Sequence, residues 1–222
     1  MKIIVIGASS GYGKGIAEAL EKEHVVIKLS RSLNGFDVTN PNIVADFFEN
    51  IDTVDAIIYS AGIAIGNSTV EEGNYTDWLR VFKTNVVGLM SVAKYGLPKL
   101  SKQGSFIHIG SIAYSFSYKG GVDYCASKAA AHSVMQGLRH ECFGTGKKIV
   151  TIEPGLGETN FQLNRYKGDV DKAKQHFGNI QQLLPKDLSD TVKHILAAPP
   201  HVNYDIIVVK PTDQLTHGKL KQ

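Results

Sequence analysis

The sequence predicts an α/β domain built on one doubly wound parallel sheet. Three observations carry that prediction. Short apolar runs rich in β-branched residues recur along the chain and mostly lack polar alternation, as strands buried on both faces do. Segments with the helical period separate them. A glycine cluster, VIGASSGYGKG at residues 5–15, follows the first run and opens the first helical segment. Alternation of this kind winds into right-handed βαβ units.

Taken in order, the first strand is Ile3–Ile6, which runs straight into the glycines and so reads as a strand rather than a targeting signal. Gly15 to Lys22 places Ile16 and Leu20 one helical turn apart. Val25–Leu29 is the second strand. Asn42 to Asn50 is helical, with Ile43, Phe47 and Phe48 on its apolar side, and Ala56–Tyr59 is the next strand. A long helix is expected from Thr76 to Leu100, with Trp78, Val81, Phe82, Val86, Leu89 and Val92 inward. Ser105–Ile109 is a strand, Val122 to Phe143 a long helix rich in small residues, and Ile149–Ile152 a strand. Residues 161–184 are more polar and less periodic, and read as a small substrate loop. Lys186 to Ala197 is a helix carrying Leu188, Val192 and Ile195, Ile206–Val209 is a strand, and the tail after Pro211 is expected to be frayed or extended. No linker, repeat or low-complexity tract divides residues 1–222, so a single domain is expected.

Composition narrows the function classes. The 222 residues are 43% hydrophobic and 20% charged, with a formal net charge of +3, which gives no basic footprint for nucleic acid. No apolar stretch reaches membrane-spanning length. The two cysteines, Cys125 and Cys142, fall in one helical pattern, so no mutual disulfide is expected and the cytoplasm is the default compartment. The eight histidines show no ligand spacing, so no metal is indicated, and His108 reads as a core histidine.

The glycine junction sits where a doubly wound sheet presents its carboxyl edge. Open backbone N–H groups and the helix dipole make that place suited to a pyrophosphate. Gly7 allows the turn, Gly11 lets a ligand approach, and Gly13 lets helix and strand touch, while Ser9 and Ser10 add hydroxyl donors. The spacing alone also fits a glycine-rich turn that binds nothing. The second strand ends in Ser30, Arg31 and Ser32, with no carboxylate for a ribose 2′-hydroxyl. A guanidinium there suits a 2′-phosphate, so NADP(H) is expected ahead of NAD(H), unless Arg31 is only a surface residue.

The stretch DYCASKAAA places Tyr124 and Lys128 at i, i+4 on one helix face. An ammonium near a phenol favours the phenolate and would bring it toward working pH, as a general acid or base on a carbonyl/alcohol pair requires. By itself this spacing also describes many solvated helix faces. Ser111, just beyond a strand, could hydrogen-bond the substrate oxygen, and Asn85 could interrupt the long helix and order a water leading to Lys128.

Taken together, GASSGYG at 7–13, SAG at 60–62, Asn85 in TNVVG, Ser111, YCASK at 124–128 and PGLGET at 154–159 resemble the short-chain dehydrogenase/reductase family in order and approximate spacing. The resemblance implies a Rossmann-like sheet of about seven strands and a nicotinamide cofactor. It implies Tyr124 as catalytic acid/base, Lys128 on the nicotinamide ribose, Ser111 orienting the substrate and Asn85 sustaining a proton relay. It places Gly7, Ser9, Ser10, Gly11, Tyr12 and Gly13 at the cofactor turn, and Asp37 and Val38 at the adenine. Ser60, Ala61 and Gly62 fall at the adenosine ribose, and Pro154, Gly155, Gly157 and Thr159 at the carboxamide and pyrophosphate. It also implies a homodimer or homotetramer built on the two long helices. Three departures stand out: Ile6 replaces the usual threonine, Ser60 replaces the usual asparagine, and only residues 33–36 separate Ser32 from Asp37, so a third strand should be short and one helix missing. The leading expectation is an NADP(H)-dependent carbonyl reductase or alcohol dehydrogenase acting on a small molecule. Isomerase or dehydratase chemistry on the same scaffold usually comes with a larger C-terminal domain. An NADP(H)-binding sensor without turnover would have no need of Asn85, Ser111, Tyr124 and Lys128. The substrate is set by Ile112–Gly121, with Tyr114, Phe116 and Tyr118, and by 161–184.

Overall fold

The structure is a computed structural model that describes residues 1–159, 161–166, 168–171, 180–216 and 219–220. Six parallel strands, β1 (Lys2–Ile6), β2 (Val25–Leu29), β3 (Val54–Tyr59), β4 (Leu100–Ile109), β5 (Lys148–Pro154) and β6 (Ile206–Val209), form one sheet in the order β2-β1-β3-β4-β5-β6. All six lie where the apolar runs place them. The strands are short because each crosses the core once, and they lack polar alternation because both faces are covered. Within β1, Ile4 and Ile6 join one core, and Ile3 and Val5 the other. Helices α1 (Gly11–Leu20), α2 (Arg31–Asn34), α3 (Pro41–Glu49), α4 (Tyr75–Phe82), α5 (Gly88–Gly96), α6 (Val122–Glu141), α7 (Phe161–Arg165) and α8 (Pro185–Ala197) follow in chain order. Phe48 of α3, Leu89 and Val92 of α5 and Met135 of α6 cover the first face. Ile16 and Leu20 of α1 and Leu188, Val192 and Ile195 of α8 cover the second. Each such side chain, removed from water, contributes about 1.5–3 kcal/mol.

The sheet has six strands rather than about seven, and no third strand forms between β2 and α3. The short connection explains this. Ser30 caps α2 by accepting from Leu33 N, and Gly35 ends that single turn at φ +71°. Phe36 and Val38 then drop into the core, where Phe36 meets Phe47 edge-on. The helix expected over 76–100 is interrupted as well. Lys83–Val87 winds as a π-turn between α4 and α5, and the helical run gives way to a short 3₁₀ turn containing Pro98. The wider turn frees the Thr84 carbonyl, which accepts from the Tyr59 hydroxyl at 2.6 Å. Of the two expectations for the tail, the extended one holds through Thr216: Gln214 is buried, its Oε1 accepts from Leu156 N at 2.8 Å, and Gln214–Thr216 pairs antiparallel with Lys219–Leu220. In the expected substrate loop, positions 167 and 172–179 lie outside the described residues, as does position 160 just before it.

Candidate active site

The strand order reverses beside β1, and there the carboxyl ends of β1 and β3 part to open a crevice. A cleft of about 770 Å³ occupies it, lined from the ends of β1, β2, β3, β4 and β5. Its floor is the glycine turn. Gly7 has φ +85°, and a Cβ there would lie 2.6 Å from Ala61 N. Only hydrogen fits between those two backbones. Gly11 has φ +53°, and an added Cβ would meet only the Thr159 side chain, at 3.4 Å. The strand and the turn touch at Gly7, while Gly11 keeps the helix start open.

Most of the sequence-predicted cofactor residues line this cleft: Gly7, Ser9, Ser10, Gly11, Tyr12, Ser30, Arg31, Asp37, Val38, Ser60, Ala61, Gly62, Tyr124, Lys128, Pro154, Gly155, Gly157 and Thr159. Gly13 and Ser32 do not. Gly13 is pressed on the Gly7 carbonyl, where a Cβ would lie 2.3 Å from the oxygen, so its task is helix–strand contact. Ser32 Oγ faces Ser30 Oγ at 3.4 Å. The cradle suits a pyrophosphate dinucleotide on two further counts. The Tyr12 hydroxyl is buried with no hydrogen-bond partner among the described residues, an unspent donor beside the turn. Arg31 lines the cleft at its exposed edge, a guanidinium chemically suited to a 2′-phosphate, with no carboxylate in Ser30-Arg31-Ser32 to repel one.

Ser111, Tyr124 and Lys128 line the same cleft. Tyr124 and Lys128 share the α6 face, and the ammonium lies 5.8 Å from the phenol ring centroid. Burial lowers Lys128 to about 8, against the pull of the Glu153 carboxylate. Burial also drives Tyr124, upward to about 12, countered by the Ser111 hydrogen bond and the Arg165 guanidinium. Within the protein itself, loss of water outweighs the opposing groups around Tyr124. Ser111 Oγ accepts from Ala113 N at 3.2 Å, which holds the first turn after β4.

Asn85 is not on the cleft surface but one layer behind it. The π-turn points its amide inward, where Oδ1 accepts from Ile63 N at 2.9 Å and Nδ2 donates to Ile63 O and Ser127 Oγ, each at 2.9 Å. A Cβ on Gly62 would lie 3.6 Å from that Oδ1 and 3.5 Å from Lys128 Nζ. Asn85 therefore braces the loop after β3 against the helix that carries the tyrosine and lysine. Sequence reasoning missed two more buried groups. Glu153, at the end of β5, accepts from Ser111 N and pairs with His132 Nδ1 at 2.9 Å. A carboxylate just after the apolar run 149–152 was its signal. Arg165 closes the cleft beside Tyr124 and had no local signal. His108, expected in the core, is buried there, and burial lowers its pKa so that it stays neutral.

A nucleotide cradle at the switch point, in one cleft with Ser111 and the buried Tyr124 and Lys128, defines an oxidoreductase that works with a nicotinamide dinucleotide. The chain belongs to the short chain dehydrogenase family, whose model matches residues 1–169. It is 30% identical over 242 residues to an NADP-dependent 3-hydroxy acid dehydrogenase of Salmonella typhi, covering 98% of each chain. It is 26% identical over 238 residues to a serine 3-dehydrogenase of Agrobacterium fabrum, covering 97% of this chain and 96% of that one. Its fold superposes on the closed form of a serine dehydrogenase complexed with NADP+ with a TM-score of 0.86, at 28% identity, covering 100% of this chain and 99% of that one.

Proposed function

We propose that this protein interconverts a 3-hydroxy acid and its 3-oxo counterpart with NADP(H), using Tyr124 as the acid/base. The convergence of Ser111, Tyr124 and Lys128 in one cleft with the Gly7–Gly11 turn carries this reading. The names of the relatives support the substrate class, and Arg31 at the rim supports the cofactor. When bound, the nicotinamide supplies the hydride. Tyr124 donates its proton to the developing alkoxide in reduction and takes it back in oxidation. Tyr124 carries its proton at neutral pH, the form that donates in reduction. Ser111 hydrogen-bonds the same oxygen, and its backbone is fixed by Glu153. Lys128 contributes a cation over the tyrosine ring, and Asn85 keeps that wall in register.

The test follows NADPH absorbance with a panel of short 3-hydroxy and 3-oxo acids. Tyr124→Phe should lower kcat by about 10³-fold while still binding NADPH. Turnover near the wild-type rate in that variant overturns the assignment, and NADPH oxidation with other carbonyl compounds but with none of the acids overturns the substrate class.

The exposed apolar residues Leu79, Phe82, Val87 and Met90, on α4, the π-turn and α5, support a homo-oligomer built on this face. Val87→Asp should then lower the mass seen by light scattering, and an unchanged mass would remove the face from the assembly. Cys125 and Cys142 are both free, which supports the cytoplasm, testable by cell fractionation. Among the described residues no helix is long and apolar enough to cross a membrane.

A further inference from the structure

Arg165 is the largest fully buried side chain among the described residues, 1% exposed, at the end of α7. Its Nε donates to Gly66 O at 3.0 Å, its Nη1 to Tyr118 Oη at 2.7 Å, and its Nη2 to Asn67 Oδ1 at 3.4 Å. Gly66 N in turn donates to the Arg165 carbonyl at 2.9 Å, so α7 is stapled to the loop after β3. Every one of these acceptors is neutral. Among the described residues Arg165 makes no ion pair with a carboxylate. A buried cation left in that state is costly, and proteins rarely keep one without a counter-ion. The guanidinium is not sealed in the core, because it lines the cleft. Its central carbon lies 5.8 Å from the Tyr124 ring centroid and 5.2 Å from that of Tyr118.

We infer that Arg165 is the specificity-determining residue of this site: it receives the carboxylate of the substrate through the N–H groups its neighbours leave free. This rests on the proposed 3-hydroxy acid chemistry and names the group that reads the acid. Guanidinium carries five N–H donors in a planar fork, and three are used. The remaining two, one on each terminal nitrogen, suit the two oxygens of a carboxylate. The substrate is short enough for both ends to be held. C1 and C3 of a 3-hydroxy acid lie about 2.5 Å apart, from two single bonds at a tetrahedral angle. A molecule whose C3 oxygen meets Tyr124 and Ser111 thus carries its carboxylate to the wall Arg165 forms. Lys128, the other buried cation here, stands beside Gly62 and Asn85 and is assigned to the cofactor side.

The experiment compares kcat/KM for 3-hydroxybutanoate and for its methyl ester, which keeps the alcohol but lacks the charge. In wild type the acid should be preferred. Arg165→Gln should lower the acid-to-ester ratio on the order of 100-fold, as losing one partner of a buried charge pair does. Arg165→Lys, which keeps the charge but not the fork, should fall between. Any loss common to both substrates reads the guanidinium's effect on Tyr124 and cancels in the ratio. Should Arg165→Gln not fold, Tyr118→Phe removes only the hydroxyl that aligns Nη1, and the ratio should fall about fivefold. An unaltered ratio with both rates falling in parallel makes Arg165 a structural staple and overturns the inference. A wild type that prefers the ester does so too, while leaving the proposed chemistry standing. A wild type that turns over neither removes that chemistry and the inference with it.

Discussion

The glycine turn makes a paired prediction whose size comes from the structure. Gly7 and Gly11 both hold positive φ, at +85° and +53°. An alanine at either site adopts a left-handed backbone, at about 1–2 kcal/mol. The two then part company. At Gly7 the new methyl would lie 2.6 Å from Ala61 N and 2.7 Å from Ser60 C, and both are backbone atoms at the end of a central strand. They cannot rotate away, so the sheet itself must shift, which adds about 1–3 kcal/mol. At Gly11 the methyl would meet only the Thr159 side chain, Cβ at 3.4 Å and Cγ2 at 3.5 Å, both ordinary contacts. Urea unfolding should therefore show Gly7→Ala less stable than Gly11→Ala by about 1–3 kcal/mol. NADPH titration should show the converse ranking among molecules that fold. The Gly11 methyl occupies the approach to the cleft, whereas the Gly7 methyl faces protein. Equal stability losses, or a loss in Gly7→Ala below about 1 kcal/mol, would refute the view that the β1 and β3 backbones are in contact there.

Two other perturbations probe the buried charges. Burial lowers Lys128 to about 8 from an ordinary 10.5, so between those values the unfolded chain binds a proton that the native one does not. Stability should rise with pH across that window, because the cost of holding the ammonium in the protein is relieved there. Lys128→Met abolishes the effect, and the wild-type-minus-variant stability from denaturation at pH 8 to 10.5 should climb; parallel curves would count against it. Glu153→Ala strands Ser111 N and His132 Nδ1 in a buried site, which should cost about 2–4 kcal/mol in thermal and urea unfolding and lower kcat by loosening Ser111. A variant as stable as wild type would show that Glu153 anchors neither.

What the sequence by itself determined is what near neighbours in the chain can specify. All six sheet strands were legible because a parallel strand buried on both faces writes its position as an unbroken apolar run. The glycine turn and the Tyr124–Lys128 pair were legible for the same reason, being set by spacing within one turn of chain. Asn85 was legible as an interruption of a helix, though not as a brace behind the cleft wall. Only the tertiary structure decided which distant groups share a space. Arg165 and Gly66 meet across 99 positions of sequence, Gln214 and Leu156 across 58, and Glu153 and Ser111 across 42. No periodicity encodes such pairs. The direction in which Tyr124 titrates belongs to the same class, because it depends on how much water the packed walls exclude, and that is a property of the assembled cleft rather than of any segment. The missing seventh strand lies between the two cases. The short stretch before Asp37 announced a shortened connection, but it was the burial of Phe36 and Val38 against α3 that left no strand to form.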